Sequence, residues 1–303
     1  MQFYPLRLIT DNTKISFMKY RKIFMLFSVA ISIVSIILLV LKPLNFGIDF
    51  TGGIVIEARS HSVVEIAKIR SILHDLNIGE ISIQNFGDKN NFAIRVGGSS
   101  AKGDVTETSL LIKETLLKNI SDGLEFRKTD FVGPQVGSQL MRSGAQALIL
   151  SFLGIMIYIW IRFEWQFGVG VLVALMHDII ISLGFLSVTQ LDFNLSSIAA
   201  LLTIIGYSVN DSVVIYDRVR ENLRKYKNKT IDEIIDLSTN ETLSRTTLTV
   251  LTTLIANLAL IIWGGDAIRS FSILVFFGIA VGTYSSICIS APILKLFGLE
   301  KFK

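Results

Sequence analysis

Residues 195–220 read LSSIAALLTIIGYSVNDSVVIYDRVR, and the organisation of the whole chain can be worked out from this stretch. Residues 195–210 carry no charge, which is typical of a membrane-spanning helix. Asp211 then interrupts the apolar run, and Val-Val-Ile-Tyr follows at 213–216 before Asp217. A carboxylate inside an apolar helix costs at least about 2.5 kcal/mol on insertion scales, so it is rarely present without a use. The stretch predicts a membrane helix with a functional carboxylate. The alternative is a helix that ends one turn earlier and leaves Asp211 at the lipid headgroups.

The helical periodicity surrounds Asp211 with small and polar residues. Tyr207 and Ser208 share its face, and Gly206 and Asn210 are its neighbours on the helix surface. A stripe of this kind faces other helices rather than lipid. We therefore expect Asp211 to lie inside a helix bundle.

The composition places the whole chain among multi-pass membrane proteins. Of its 303 residues, 51% are hydrophobic and only 18% are charged. The charges leave windows that match the roughly 17–25 residues a membrane helix needs. The windows in addition to the opening stretch are residues 23–41, 143–161, 165–191, 246–265 and 270–294. The sequence therefore predicts six membrane helices.

The basic residues predict the orientation of these helices. They crowd the N-terminal arm (1–22), the connection 217–245 and the C-terminal tail (295–303), so the positive-inside rule places both termini in the cytoplasm. A basic balance can also indicate nucleic-acid binding, but here the positions of the charges favour membrane topology, and no nucleic-acid partner is expected. The five helices after the first occupy residues 142–294 and include that connection.

Residues 42–141 are too long and too polar for a loop in the bilayer and predict a folded domain on the outer, periplasmic side. Four strands and two amphipathic helices alternate in the order βαββαβ, which is typical of an α+β ferredoxin-like domain. The strands are expected at 53–58, 80–86, 91–96 and 124–132, with a turn at 87–90. Ser62 with Glu65 and Asp104 with Glu107 are expected to cap the helices. The expected core residues are Ile54, Ile56, Ile69, Ile72, Leu73, Ile81, Ile83, Ile94, Leu111 and Leu116.

Further polar groups lie in or beside the spans. His177 and Asp178 interrupt the third span, and they either hold helices together by hydrogen bonds or take part in proton movement. Arg245 opens the fifth span and could reach Asp211 by snorkelling, or it could be an ordinary cytoplasmic anchor. The lone cysteine, Cys288, is expected to be a packing residue. Small residues of the sixth span, such as Gly278, Gly282 and the serines at 285–286, suit helix–helix contact.

Several motifs, in this order, resemble the SecD/SecF family of bacterial protein-export membrane subunits, in its SecF branch. They are GIDFTGG at 47–53, VGPQVG at 132–137, His-Asp at 177–178, GYSVND at 206–211 and DRVREN at 217–222. The resemblance covers nearly the whole chain and implies membership of the resistance–nodulation–division superfamily.

The resemblance implies an accessory subunit that uses the proton-motive force to drive late stages of protein export across the bacterial inner membrane. Its implied partners are SecD as a separate chain, the SecYEG translocon with YajC as a further possibility, unfolded preproteins and membrane lipid. Protons would be the coupling ion, and no other cofactor is implied. The implied proton path includes Asp211 and Arg245, with Asn210 and Asp178 as further candidates.

Two glycine motifs are candidate hinges between the outer domain and the helices. The candidate hinge residues are Gly47, Asp49, Gly52, Gly53, Gly133, Pro134 and Gly137. No GxxxxGK[ST] sequence occurs, so ATP is not expected to act on this chain, and no enzymatic activity is expected. Two other functions stay open: half of a proton-driven small-molecule exporter, which the small outer domain disfavours, and a scaffold of the translocon that moves no protons.

Overall fold

The protein is described by a computed structural model that covers residues 13–62, 64–74, 76, 78, 81–85, 90–97, 105–120 and 123–297. The helices are α1 (Arg21–Leu41), α2 (Ile48–Thr51), α3 (Ile66–His74), α4 (Val105–Asn119), α5 (Pro134–Arg162), α6 (Trp165–Thr189), α7 (Leu195–Lys225), α8 (Ile231–Trp263), α9 (Asp266–Ser285) and α10 (Ala291–Leu296). The strands are β1 (Gly53–Ser60), β2 (Ile81–Asn85), β3 (Asn91–Gly97) and β4 (Leu124–Val132). A short 3₁₀ turn (Met18–Tyr20) precedes α1, and a π-helix (Ser286–Ser290) joins α9 to α10.

The chain forms two compact units. Phe46–Gln146 and Phe193–Leu195 form one, here called the sheet unit. Met1–Asn45, Ala147–Asp192 and Ser196–Lys303 form the other, here called the helical unit.

Six helices in the described part of the chain are long and apolar enough to cross a membrane, which confirms the six-span prediction. They are Met18–Leu41, Pro134–Arg162, Trp165–Thr189, Leu195–Lys225, Ile231–Trp263 and Ile268–Leu296. Helices α6 and α7 and the last span bury more than half of their most apolar window, whereas α1 and α5 bury only 11% of theirs. The exposed apolar side chains of α1, such as Leu26 and Val40, are those that a bilayer would solvate.

The connection between the fourth and fifth spans differs from the expectation. Residues 217–245 are helical except at 226–230, because α7 continues to Lys225 and α8 already begins at Ile231. A capping box starts α8: the Thr230 Oγ1 accepts a hydrogen bond from the Glu233 amide, and the Glu233 carboxylate accepts one from the Thr230 amide. The first turns of α8 bury Ile231, Ile234 and Ile235. The polar residues between them are therefore part of a helix rather than of a loop.

Small residues let the helices of the helical unit approach closely. A Cβ at Gly184 of α6 would lie 2.5 Å from Ser35 of α1. A Cβ at Gly278 of α9 would lie 2.2 Å from Ile204 of α7. Gly282 faces α7 in the same way, as the small residues of the last span predicted. Cys288 is buried and unpaired, with 7% of its surface exposed.

The sheet unit has the predicted ferredoxin-like topology. All strand pairs are antiparallel in the order β2-β3-β1-β4, and the Ile56–Ile94 pair lies near the middle of the β1–β3 ladder. The alternation of apolar residues along β1 and β3 directs one face of the sheet toward α3 and α4. The order of elements and the fold class are confirmed.

The core of this unit corrects one predicted residue. Leu111 is 42% exposed, whereas its neighbour Ile112 is fully buried, because the face of α4 that meets the sheet lies one residue further along. Ile72 and Ile81 are only partly buried, at the edge of the core. The core residues are Ile54, Ile56, Ala58, Ile69, Leu73, Ile83, Phe92, Ile94, Val96, Ile112, Leu116 and Ile120.

The predicted caps of the two helices have different outcomes. Helix α3 begins at Ile66, so Glu65 precedes the helix instead of occupying its first turn as the predicted capping box requires. Its carbonyl oxygen accepts hydrogen bonds from the amides of Lys68 and Ile69. The predicted cap at Asp104 and residues 87–89 of the predicted turn lie outside the described residues.

Candidate functional site

Asp178 is the point at which three helices of the helical unit converge. Its side chain is fully buried in α6, because small residues on the facing helices leave room for a carboxylate. Ser208 of α7 donates a hydrogen bond of 2.6 Å and Ser285 of α9 one of 2.8 Å, both to Oδ2. The ring Nδ1 of His177 lies 3.0 Å from Oδ1. Because Ser208 and Ser285 bond this carboxyl group from two other helices, the arrangement ties α6, α7 and α9 together.

A line of buried hydroxyl groups continues from this point along α7. Ser212 donates to Ser286 of the π-helix at 3.1 Å, and the Tyr216 hydroxyl contacts the backbone carbonyl of Ser290 at 3.2 Å. Ser208, Ser212 and Tyr216 are four residues apart, so they share one face of α7. The π-helix widens the last span where these contacts occur, and such segments are frequent at functional sites.

Asp211 lies on another face of α7, directed at α8. Only 5% of its surface is exposed, as the opening stretch predicted. Its Oδ1 accepts a long hydrogen bond of 3.4 Å from the Thr246 hydroxyl. Its Oδ2 is buried and has no hydrogen-bond partner among the described residues. One turn earlier, the Tyr207 hydroxyl reaches Thr253 of α8 at 3.4 Å. The hydrogen bonding around Asp211, between α7 and α8, is therefore loose, whereas that around Asp178, between α6, α7 and α9, is tight.

The other predicted members of the proton path form no side-chain hydrogen bond or ion pair with Asp211 in the described part of the chain. Arg245 precedes Thr246 on α8, and its side chain is exposed. Within the described part of the chain, no nitrogen of Arg245 comes within the 4.0 Å of an Asp211 oxygen that defines an ion pair. Asn210 is exposed on the surface of α7 with Gly206. Asp178 and Asp211 belong to separate hydrogen-bonded groups.

The first glycine motif forms a compact junction inside the sheet unit. The Gly47 amide donates to the Phe193 carbonyl at 2.9 Å, and the Asp49 carboxylate accepts a bond of 3.0 Å from the Leu195 amide. Leu195 is the first residue of α7, so Asp49 satisfies one of the unpaired donors of that helix end. Gly52 has φ +70°, which favours glycine, and Gly53 follows as the first residue of β1.

The second glycine motif packs against the first. Pro134 is the first residue of α5, a position that tolerates its missing amide. A Cβ at Gly52 would lie 2.9 Å from the Cα of Pro134, and one at Gly137 would lie 3.0 Å from the carbonyl oxygen of Phe50. Gly133 has open space around its Cα. Close backbone packing thus explains two of these glycines, and a hinge at this junction stays a prediction.

The family model described as "Protein export membrane protein SecD/SecF, C-terminal" matches residues 112–300, which is more than half of the chain. The chain belongs to the SecD/SecF family. A model described as "SecD/SecF GG Motif" matches residues 37–61, which include the first glycine junction.

Relatives in the SecD/SecF family match over the full length. Protein translocase subunit SecF of Rickettsia bellii (strain OSU 85-389) is 59% identical over 303 residues, 100% of both chains. The subunit of that name from Rickettsia felis is 59% identical over 302 residues, 100% of this chain and 98% of the relative.

Crystal structures of SecDF match as well. That of Thermus thermophilus SecDF, described as a translocon-associated membrane protein, has a TM-score of 0.87 and 32% identity and covers 96% of this chain and 39% of that one. SecDF in a super-membrane-facing form has a TM-score of 0.71 and 31% identity and covers 98% and 40% of the two chains. This chain therefore spans about two fifths of the SecDF chains.

Sequence reasoning missed several members of the site in this SecD/SecF family protein. Thr246, rather than Arg245, contacts Asp211, and the threonine-rich start of the fifth span was the signal for it. Ser208 and Ser285 as donors to Asp178 had a weaker signal, since serine is common in membrane helices. Nothing in the sequence marks the π-helix.

Proposed function

We propose that this chain is a SecF-type accessory subunit of the Sec protein translocase, acting as a transport component rather than an enzyme. With a separate SecD chain it would use the proton-motive force to drive late stages of protein export across the bacterial inner membrane. The support is membership of the SecD/SecF family together with full-length similarity to subunits named SecF. SecYEG, with YajC as a further component, is the proposed assembly, and unfolded preproteins are the proposed clients.

The observation that carries the proton role is the unpartnered oxygen of Asp211. A buried carboxylate with one weak hydrogen bond is poorly stabilised as an anion, so uptake of a proton is favourable when α7 and α8 are in this arrangement. Loss of the proton would draw in the guanidinium of Arg245, which precedes the contacting Thr246 on the same helix. Arg245 must then reorient, because neighbouring helix positions point about 100° apart, as 3.6 residues per turn require.

The energies are of a suitable size for this coupling. One charge that crosses a potential of 100 mV releases about 2.3 kcal/mol. Couplings between two conformations are typically about 1–3 kcal/mol. One or a few protons at Asp211 therefore suffice to bias a conformational change that assists an exported chain.

The experiment measures export of a reporter protein into energised membrane vesicles, with and without a proton ionophore. Asp211→Asn keeps the shape and removes the titration, so the ionophore-sensitive part of export should be lost while assembly with SecD persists. Arg245→Met should also lower the ionophore-sensitive part of export. Full ionophore-sensitive export by Asp211→Asn vesicles would refute the proton role and favour the scaffold.

Asp178→Asn separates a structural carboxylate from a second proton site. The amide keeps the shape and can still accept a hydrogen bond from Ser208 or Ser285. We expect ionophore-sensitive export to persist and the yield of the complex with SecD to fall, because this site holds three helices together. Loss of ionophore-sensitive export at full complex yield would instead place Asp178 on the proton path. Export of small molecules by the wild-type chain with SecD would favour the exporter alternative.

We further propose that both termini are cytoplasmic and the sheet unit is periplasmic, because the basic residues are concentrated near the termini and between α7 and α8. In a chain whose Cys288 is replaced by serine, a cysteine at Asn228 should react with an impermeant reagent only from the cytoplasmic side. A cysteine at Asn90 should react only from the periplasm. Labelling of both from one side contradicts this topology.

A further inference from the structure

A charged cavity lies where α5 ends and where α7 leaves the apolar part of the helical unit. Its volume is about 540 Å³, and it is a wide-open depression rather than an enclosed pocket. Its lining residues are Arg162, Asp217, Arg220, Glu221, Arg224 and Lys225. Four cationic side chains thus face two anionic ones, an excess of two positive charges.

Two of the arginines are held in place before any ligand binds. The guanidinium carbon of Arg162 lies 5.0 Å from the ring centroid of Phe163, and that of Arg220 lies 5.2 Å from the same centroid. Arg162 also pairs with Asp217 at 3.1 Å, and Arg220 lies 3.6 Å from Glu164. Phe163 is itself buried, so the platform on which both arginines rest is rigid. Pre-oriented side chains lower the entropy lost on binding.

The other two cations are not held in ion pairs with the acidic residues that the structure describes. Asp217 is paired with Arg162, and Glu221 is paired with Arg218 at 2.6 Å. Neither Arg224 nor Lys225 forms an ion pair within 4.0 Å with any residue that the structure describes. Lys225 only stacks on Tyr226, at 5.2 Å from the ring centroid. The net positive charge of the cavity is therefore available to an anion.

Exposed apolar side chains lie close in sequence to the cavity residue Arg162, at the end of α5 and the start of α6. Ile161, one residue before Arg162, is 82% exposed, and Ile157 one turn earlier is 53% exposed. Trp165, at the start of α6, is 56% exposed. Tryptophan is enriched where a membrane helix meets the headgroup layer, and exposed apolar side chains beside it are solvated by acyl chains. A soluble anion would leave these apolar side chains uncovered, whereas the acyl chains of a lipid would contact them.

We propose that this cavity binds the headgroup of an anionic phospholipid, such as phosphatidylglycerol. The phosphate lies among Arg220, Arg224 and Lys225, and the acyl chains run along α5 past Ile161. Basic pockets between membrane helices bind anionic headgroups in this way, and each lysine or arginine near an anionic membrane surface contributes about fivefold in affinity. The lipid would occupy one specific site, in addition to the diffuse attraction between basic helix ends and an anionic leaflet.

The test counts lipids bound to the purified full-length chain in an uncharged detergent by native mass spectrometry. Phosphatidylglycerol is titrated against phosphatidylcholine with the same acyl chains. We expect one phosphatidylglycerol to remain bound where phosphatidylcholine does not. The double variant Arg224→Gln/Lys225→Gln should lose about 25-fold in affinity, from about fivefold for each charge removed. The side chains of Arg224 and Lys225 are exposed, and an unchanged melting temperature verifies that the variant folds.

The matched control is Lys227→Gln/Lys229→Gln, which removes the same charge from the same connection but outside the cavity lining. It should change the affinity less than twofold. Equal losses in the two double variants would show diffuse attraction and overturn the site, as would unchanged binding by the cavity variant. Displacement of the lipid by millimolar glycerol 3-phosphate would show that the site takes a soluble phosphate, and that would overturn the lipid assignment.

Discussion

Replacing Ser208 by alanine tests whether the hydrogen bonds to Asp178 hold the helices together. The variant removes the 2.6 Å bond from α7 and leaves the 2.8 Å bond from Ser285 and the contact with His177. A typical hydrogen bond contributes about 0.5–1.5 kcal/mol to the stability of soluble proteins. Hydrogen bonds between membrane helices average about 0.6 and reach about 1.7 kcal/mol. Because this bond is short and fully buried, we expect Ser208→Ala to lower the free energy of unfolding by about 1–2 kcal/mol.

Ser182→Ala provides a matched control on α6, one turn from Asp178. Ser182 is as buried as Ser208, but its hydroxyl oxygen has no hydrogen-bond partner among the described residues. Removing an unsatisfied buried group is close to neutral or stabilising, so the expected change is below about 0.5 kcal/mol. The double variant Ser208→Ala/Ser285→Ala leaves Oδ2 without a donor, so its cost should exceed the sum of the two single costs by about 1 kcal/mol or more.

The assay follows the loss of helical circular dichroism of the full-length chain in mixed micelles as denaturing detergent is added. Wild type and the four variants are compared at the same lipid content and pH. Equal unfolding free energies for Ser208→Ala and Ser182→Ala would refute the reasoning that these contacts join α6 to α7. If the cost of the double variant equalled the sum of the two single costs, the inference that both hydroxyls bond the same Asp178 oxygen would be refuted.

Two further predictions concern the sheet unit. Ile112→Ala should destabilise a fragment of residues 45–133 by about 2–5 kcal/mol in urea unfolding, because its side chain is fully buried, whereas Leu111→Ala at the 42% exposed neighbour should cost less than about 1 kcal/mol. Equal effects would contradict the orientation of α4. Gly137→Ala should lower the melting temperature of the full-length chain, because the new Cβ would lie 3.0 Å from a backbone carbonyl oxygen that cannot move independently. A Cβ at Gly133 would have open space around it, so the melting temperature of Gly133→Ala should lie within roughly 1–2 °C of the wild-type value. A larger decrease would contradict the packing argument.

The hydrophobic pattern and the charges of the sequence determined the fold class. Six charge-free windows predicted six membrane helices, because a chain in hydrocarbon must satisfy its backbone polar groups within a helix. Alternation at period two and apolar spacing at period 3.6 predicted the order βαββαβ. The same reasoning predicted that Asp211 is buried, because its flanking residues are apolar on both sides.

Polar sequence was a poorer guide to where helices end. Residues 217–245 carry many charges, yet most of them are helical, because charged side chains on one face of a helix do not prevent the opposite face from burying Ile234 and Ile235. The capping box of Thr230 and Glu233 has the same S/T-x-x-E spacing as the one expected at Ser62 and Glu65. The S/T-x-x-E spacing alone therefore does not tell where a helix begins, since α8 starts directly after Thr230 whereas α3 starts only at Ile66.

Which polar groups meet depends on the tertiary structure. The sequence placed Asp211, Arg245 and Asp178 in one candidate path, whereas the structure pairs Asp211 with Thr246 and gives Asp178 the hydroxyl of Ser208. A sequence pattern predicts which residues are buried. It does not predict their contact partners, because the rotation of each helix about its axis depends on how side chains on neighbouring helices interlock. One residue along a helix turns a side chain by about 100°, so adjacent positions such as 245 and 246 can differ completely in their surroundings.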